Sequence, residues 1–201
     1  GTENVLLSAN ETPSVKRIVV TSSCAAIYTD AIDTVNAPGG KLTEDVWNTT
    51  SSLEYQPYSY SKTLAEKKAW EIQKSQTQWE LVTINPSLVM GPALNPKESD
   101  SESLSILTQM GDGTFKMGAP KMSIGLVDVR DVAEAHFQAG FNSNASGRYI
   151  TSGYNTDFLE IAKVLNVEKP KFYAAYWQTE LAWRWNWLTS LLLNKKRLIF
   201  T

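Results

Sequence analysis

Two short runs rich in β-branched residues, Ile18-Val-Val-Thr21 and Leu81-Val-Thr-Ile84, do most to limit the folds open to this chain. Each is too short for a stable helix and shows no regular polar alternation. That is the pattern of a strand buried on both faces of a parallel sheet. Between them, residues 57–77 carry apolar side chains at helical spacing. Strands alternating with helices predict an α/β fold with a parallel sheet.

The rest of the chain extends this reading. Residues 2–11 read as a helix stopped before Pro13, and Arg17–Ser22 as the first strand. Residues 24–55 read as a long loop with Pro38-Gly39-Gly40 as its turn. The helix over 57–77 tolerates Pro57 in its first turn. Glu80–Asn85 reads as the second strand, closed by Pro86, and residues 90–100 as loop. Further along, the pattern predicts a helix over 101–111, strands at Ile124–Val127 and Arg148–Thr151, and a helix over 156–166. Asp128 is placed to cap a helix, with Asp131 near its positive end. Val129, Val132, Ala133, Phe137 and Gly140 are its expected buried face. The tail from Tyr173 to Leu193 reads as helix. Its Trp177, Trp183, Trp185 and Trp187 are expected to pack rather than to meet a membrane beside Lys195, Lys196 and Arg197.

Composition excludes several functions. A net charge of −2 gives no broad basic field, so no nucleic-acid partner is expected. No apolar run reaches the ~18 residues of a membrane span. The one cysteine, Cys24, rules out an internal disulfide framework and fits a reducing, cytoplasmic compartment. Asn10, Asn48 and Asn144 begin glycosylation patterns, read here as chance matches. His136 is the only histidine, so neither a metal site nor a Ser-His-Asp triad is expected. The chain opens with Gly1-Thr-Glu-Asn-Val, already in helical pattern, and stops at Leu198-Ile-Phe-Thr201. Both ends read as lying inside a larger domain.

The chemistry concentrates at Tyr58-Ser-Tyr-Ser-Lys62, where a phenol and an ammonium share one helix face. Their stripe continues through Ala65, Ala69 and Ile72 and is expected to face the interior. An ammonium beside a phenol favours phenolate, which makes a tyrosine usable as an acid or base near neutral pH. Thr21-Ser22-Ser23 ends the first strand, and ligands of open α/β sheets bind outside the carboxyl ends of the strands. A strand, loop and helix can bring Ser23 to Tyr58, with Ser22 the competing serine. Asn85-Pro-Ser-Leu-Val-Met-Gly91-Pro92 supplies a second loop at the same edge.

In order, Thr21-Ser-Ser-Cys24, Tyr58-x-x-x-Lys62 with Thr-Leu-Ala-Glu66 after it, Pro86 to Pro92, and Val127-Asp-Val-Arg-Asp-Val-Ala-Glu-Ala-His136 resemble the extended short-chain dehydrogenase/reductases. This is the NAD-dependent epimerase/dehydratase superfamily. The nearest branch is that of dihydroflavonol reductase, cinnamoyl-CoA reductase and the yeast-type aldehyde/ketone reductases. The resemblance covers most of residues 1–160. It implies a Rossmann-like, doubly wound parallel sheet with a small C-terminal substrate lobe. Residues 1–90 would be the second half of the cofactor domain, and 91–201 the substrate lobe with returning sheet elements.

Tyr58 then resembles the acid that protonates a carbonyl oxygen. Lys62 resembles the partner that eases loss of the phenol proton and holds the nicotinamide ribose. Ser23 resembles the residue that holds the carbonyl. Thr21 and Ser22 fall beside the cofactor, and Pro86 and Leu88 match positions lining the nicotinamide. The implied cofactor is NADP(H) in preference to NAD(H), and the implied partner a small-molecule aldehyde or ketone. A sugar-nucleotide epimerase or dehydratase, a sterol-type dehydrogenase and a cofactor-sensing scaffold are the competing readings. One departure is large: no G-x-G-x-x-G or G-x-x-G-x-x-G occurs. The chain therefore reads as an N-terminally truncated fragment, expected by itself to bind no NADPH. Neither the substrate nor the oligomeric state is readable from the residues.

Overall fold

The computed structural model describes residues 1–95, 101–112 and 118–165. In chain order the elements are α1 (Thr2–Asn10), β1 (Arg17–Thr21), α2 (Ile32–Asn36), α3 (Pro57–Lys74), β2 (Glu80–Pro86) and β3 (Leu88–Met90). There follow α4 (Glu102–Gly111), β4 (Ser123–Asp128), α5 (Val129–Phe141), β5 (Gly147–Thr151), β6 (Tyr154–Asp157) and α6 (Phe158–Leu165). The expectations for Trp177, Trp183, Trp185, Trp187, Lys195, Lys196 and Arg197 lie outside the described residues.

The sheet is built on β2, every residue of which is buried after Glu80. β1 pairs parallel along one side of it, Arg17 opposite Glu80 through Thr21 opposite Ile84. β5 pairs parallel along the other, Val82 opposite Gly147 through Pro86 opposite Thr151. The expected parallel α/β sheet is therefore present. β1 departs from expectation in being only half-buried, because it is the outer strand of this three-stranded ladder. β3 continues from β2 after Ser87 and pairs parallel with β4. β3 and β6, of three and four residues, are too short to show a period in sequence.

The two faces of the sheet carry different layers. On one, Leu6, Ala69, Ile72, Trp79 and Leu81 form a core with Ile18, Val20 and Trp70 against it, which seats α1 and α3. On the other, Val82, Ile84 and Ala139 pack with Val19, Ala135 and Ala145 beneath α5. Asp128 caps α5 as expected, its carboxylate accepting the Arg130 N–H. The buried face of α5 does not follow the expectation. Val132 and Ala139 are buried, whereas Val129, Ala133 and Phe137 are exposed. The small residues face the sheet and let the helix approach it, while Phe137 and Phe141 meet outside, ring centroids 4.9 Å apart.

Residues Gly1–Leu94 with Gly125–Tyr154 form one compact unit. In the second unit, α4 and α6 are in contact, and Met110, Ala119, Phe158, Leu159, Ile161 and Ala162 are buried. The Asp157 carboxylate opens α6 by accepting the N–H groups of Leu159 and Glu160.

The segment over residues 24–55 is more ordered than a plain loop. It holds α2 and two 3-10 turns, Cys24–Ala26 and Pro38–Gly40, with Gly39 and Gly40 at φ 65° and 66°. Asn48 organises it. Its amide donates to Ala25 O at 2.7 Å, and its carbonyl accepts the N–H groups of Thr50 and Ser51. Asn48 is 4% exposed, so a folded chain cannot present it to a glycosylating enzyme.

Candidate active site

α3 begins at Pro57, a residue whose fixed φ suits the first helical position. The residue before it, Gln56, is left-handed at φ 55°, the one non-glycine with positive φ among the described residues. Such a conformation costs about 1–2 kcal/mol, and strain of this kind clusters at functional sites. It aims the first turn of α3, and with it Tyr58.

The buried stripe of α3 is Ser59, Thr63, Glu66, Ala69 and Ile72. This corrects the expectation that Tyr58, Lys62 and Ala65 face the interior. Tyr58 is 60% exposed, and Lys62 and Ala65 are half-buried. The inward face is one rung over, and its upper half is polar. Those polar groups are satisfied: Thr63 Oγ1 donates to Ser59 O at 2.8 Å, and Glu66 sits in the network described below. Polar groups bonded in this way can be buried, which is why an apolar pattern misplaced the stripe. The phenol and ammonium border the core face and open to solvent, where a ligand can reach them. Lys62 Nζ lies 6.0 Å from the centroid of the Tyr58 ring.

Ser23 leads the turn at Cys24–Ala26, which packs against α3. Its Oγ accepts the Ala25 N–H at 3.1 Å, leaving the hydroxyl proton available to an outside oxygen. Ser22 faces the other way. It is 6% exposed, and its hydroxyl donates to Glu66 Oε2 at 2.5 Å. Thr21 lies on the α5 side, its hydroxyl 2.6 Å from His136 Nε2. His136 Nδ1 is 2.7 Å from Val132 O, which makes Nδ1 the donor there and Nε2 the acceptor from Thr21. Pro86 ends β2 opposite Thr151, and Leu88 begins β3 opposite Leu126. The candidates from β1, β2 and β3 thus gather at the carboxyl edge of the sheet, with α3 packed against the Ser23 turn. Gly91 follows β3 at φ 140°, and a Cβ there would meet Val129 Cγ1 at 2.7 Å. Only glycine fits that close approach.

The Cys24 thiol donates to Asn85 O at 3.3 Å and is pushed up to about 11 by burial, against the opposing charge of Arg148. The folded thiol holds its proton more firmly than an unfolded one. Its contribution to stability is full below the ordinary thiol value of 9.0 and is lost as pH rises toward 11. Iodoacetamide is therefore expected to leave Cys24 of the folded protein unlabelled at pH 8 and to label it in urea, as read by mass spectrometry. Rapid labelling of the folded chain would contradict this.

Sequence reasoning missed the buried polar cluster beneath the site: Glu66, Thr83, Asn85 and Arg148. A signal existed in β2. Thr83 and Asn85 share one face of an otherwise apolar strand, and buried polar groups on a strand need partners. Among the described residues no cluster of His, Cys, Asp and Glu could hold a metal ion, and no helix is long and apolar enough to cross a membrane.

The sequence signature of the NAD dependent epimerase/dehydratase family matches residues 1–150. The chain belongs to this family. An anthocyanidin reductase of Arabidopsis thaliana is 38% identical over 184 residues, covering 86% of this chain and 52% of that protein. Cinnamoyl-CoA reductase CAD2 of Medicago truncatula is 37% identical over 169 residues, covering 82% and 49%. Among solved structures, Gre2 of Candida albicans in complex with NADPH superposes with a TM-score of 0.66 at 32% identity, covering 82% of this chain and 52% of that one. Yeast methylglyoxal/isovaleraldehyde reductase Gre2 complexed with NADPH gives 0.67 at 27%, with the same coverage. This family member thus spans about half the length of the curated relatives it matches. Its fold is the α/β, Rossmann-like parallel sheet of those structures.

Proposed function

We propose that this chain carries the catalytic residues of an NADP(H)-dependent reductase of aldehydes or ketones. The observation that carries the reading is that Tyr58 and Lys62 border the buried face of α3 and open to solvent, while Ser23 leads the turn that packs against the same helix. The named activities of the relatives, and NADPH in the two Gre2 structures, support the same reaction class and the choice of NADP(H).

The donor set fits the nicotinamide end of the cofactor. Lys62 forms no ion pair with a carboxylate among the described residues, so its ammonium can serve ribose hydroxyls. A bound dinucleotide supplies the hydride, which no side chain can. Ser23, whose oxygen already accepts the Ala25 N–H, donates its hydroxyl proton to the substrate carbonyl and orients it. Tyr58 donates a phenolic proton to the same oxygen as negative charge develops there. The ammonium of Lys62 steadies the phenolate that remains. Leu88, half-buried at the start of β3, offers apolar surface to a flat ring, with Pro86 buried just before it. Thr21 and Ser22, whose hydroxyls are committed to His136 and Glu66, support the edge from below.

The test is a spectrophotometric assay of the intact protein with NADPH and two carbonyl probes, cinnamaldehyde and isovaleraldehyde. Stoichiometric oxidation of NADPH with formation of the alcohol is expected, and faster than with NADH. Turnover of a sugar nucleotide on tightly held NAD, with no net cofactor consumption, would replace this reading with an epimerase.

A further inference from the structure

We propose that Glu66 is a positioning residue for the site, and that with Arg148 it sets the geometry of Ser23 against α3. The proposal rests on the reading of Ser23, Tyr58 and Lys62 given above. Glu66 lies one helical turn after Lys62 and two after Tyr58, on the neighbouring stripe of α3. Its side chain is fully buried, and its partner Arg148 is 8% exposed.

The carboxylate is surrounded by donors from four elements. Oε1 accepts from Arg148 Nε at 2.6 Å, and the Thr83 hydroxyl lies 3.1 Å away. Oε2 accepts from the Ser22 hydroxyl at 2.5 Å and from Asn85 Nδ2 at 2.8 Å. Trp70 Nε1 adds a longer contact of 3.4 Å. A carboxylate offers about four lone-pair sites, and here they are filled. α3 cannot slide or rotate against β2 without breaking several of these bonds at once.

Two routes run from this carboxylate to the Ser23 turn. The first is direct. Ser22 is the residue before Ser23, and Asn85 also donates from Nδ2 to Ser23 O at 3.1 Å. The second passes through Arg148. Its Nη1 donates to the carbonyls of Glu44 and Val46 at 2.5 and 2.7 Å, and its guanidinium lies 3.8 Å from the Trp47 ring centroid. The segment so held leads directly to Asn48, which bonds Ala25 O. One buried ion pair thereby fixes the serine turn, the tyrosine helix and the segment over residues 44–48.

Replacing a buried pair by apolar groups is often neutral for stability, whereas removing one partner is costly. That separates positioning from mere support of the fold. Three variants of the intact protein test it: Glu66→Gln, the double variant Glu66→Gln/Arg148→Met, and Ser22→Ala. The double variant is expected to recover most of the thermal stability that Glu66→Gln loses. It is nevertheless expected to retain a kcat at least about 30-fold below wild type, with KM for cinnamaldehyde within threefold. Hydrogen exchange at the Ala25 and Ala26 amides should accelerate at least tenfold, while the Leu81–Ile84 amides keep their protection. Ser22→Ala, which removes one bond and leaves both charges, should accelerate the same two amides with little change in Tm. If neither Glu66→Gln nor the double variant folds, Ser22→Ala carries the test alone. Wild-type kcat in the stable double variant, or unchanged exchange at Ala25 and Ala26 in any folded variant, would overturn the proposal. If the wild-type protein reduces neither carbonyl probe, the functional reading fails separately, and the exchange measurements still decide whether Glu66 fixes the turn.

Discussion

Tyr58→Phe is expected to lower kcat for NADPH-dependent carbonyl reduction by roughly 10²–10⁴-fold, the usual contribution of a positioned acid. The substitution removes one oxygen from a ring that is 60% exposed. Stability should therefore change little. Affinity for NADPH, measured by fluorescence titration on the intact protein, should stay within about threefold, because Lys62 and the strand ends remain. Loss of turnover with retained binding is the signature of a group acting in the transition state rather than in assembly. Undiminished turnover would remove Tyr58 from the mechanism.

Trp79→Ala carries the largest expected effect on stability. Trp79 is 2% exposed and lies between α1 and α3, packed with Leu6, Ala69, Ile72 and Leu81. Its indole N–H donates to Asn10 Oδ1 at 2.9 Å, so truncation also leaves a partner unmatched. Large aromatic-to-alanine changes in cores cost about 3–5 kcal/mol. Against the roughly 5–15 kcal/mol typical of a domain, that removes about a fifth or more of the total. Urea unfolding followed by circular dichroism should show the midpoint falling with little change in slope. A loss below about 1 kcal/mol would mean that α1 and α3 are held by something other than this core.

Much of the frame was legible because its signals are local. The β-branched runs of β1 and β2, the cap at Asp128 and the proline in the first turn of α3 are each signals of a few consecutive residues. The errors have a common cause. On α5 the pattern points Val129, Ala133 and Phe137 inward with Val132, yet Ala135 and Ala139 join Val132 toward the sheet and Phe137 faces out. On α3 the pattern points Tyr58, Lys62 and Ala65 inward with Ala69 and Ile72, whereas Ser59, Thr63 and Glu66 join those two on the buried face. In both helices close packing and satisfied polar groups outrank hydrophobicity. The Glu66–Arg148 pair was beyond any local pattern, since its partners stand on different elements far apart in the chain. Of the candidate site, Ser23, Tyr58 and Lys62 stand out in the sequence by motif order. The exposure of Tyr58, and the bonds that commit Ser22 to Glu66 and Thr21 to His136, are not legible there.

The central place of β2 also has a consequence for synthesis. Residues Leu81–Ile84 acquire their β1 partner from the preceding chain, but the β5 partner is translated about sixty residues later. At ~5–20 residues/s that leaves the far edge of an apolar strand unpaired for on the order of 3–12 s. Unpaired strand edges are templates for association with other chains. Parallel pairing across such separations is also slow to form. During that interval the nascent polypeptide is a natural client for a chaperone, and slowing translation between codons 87 and 147 should lengthen its capture.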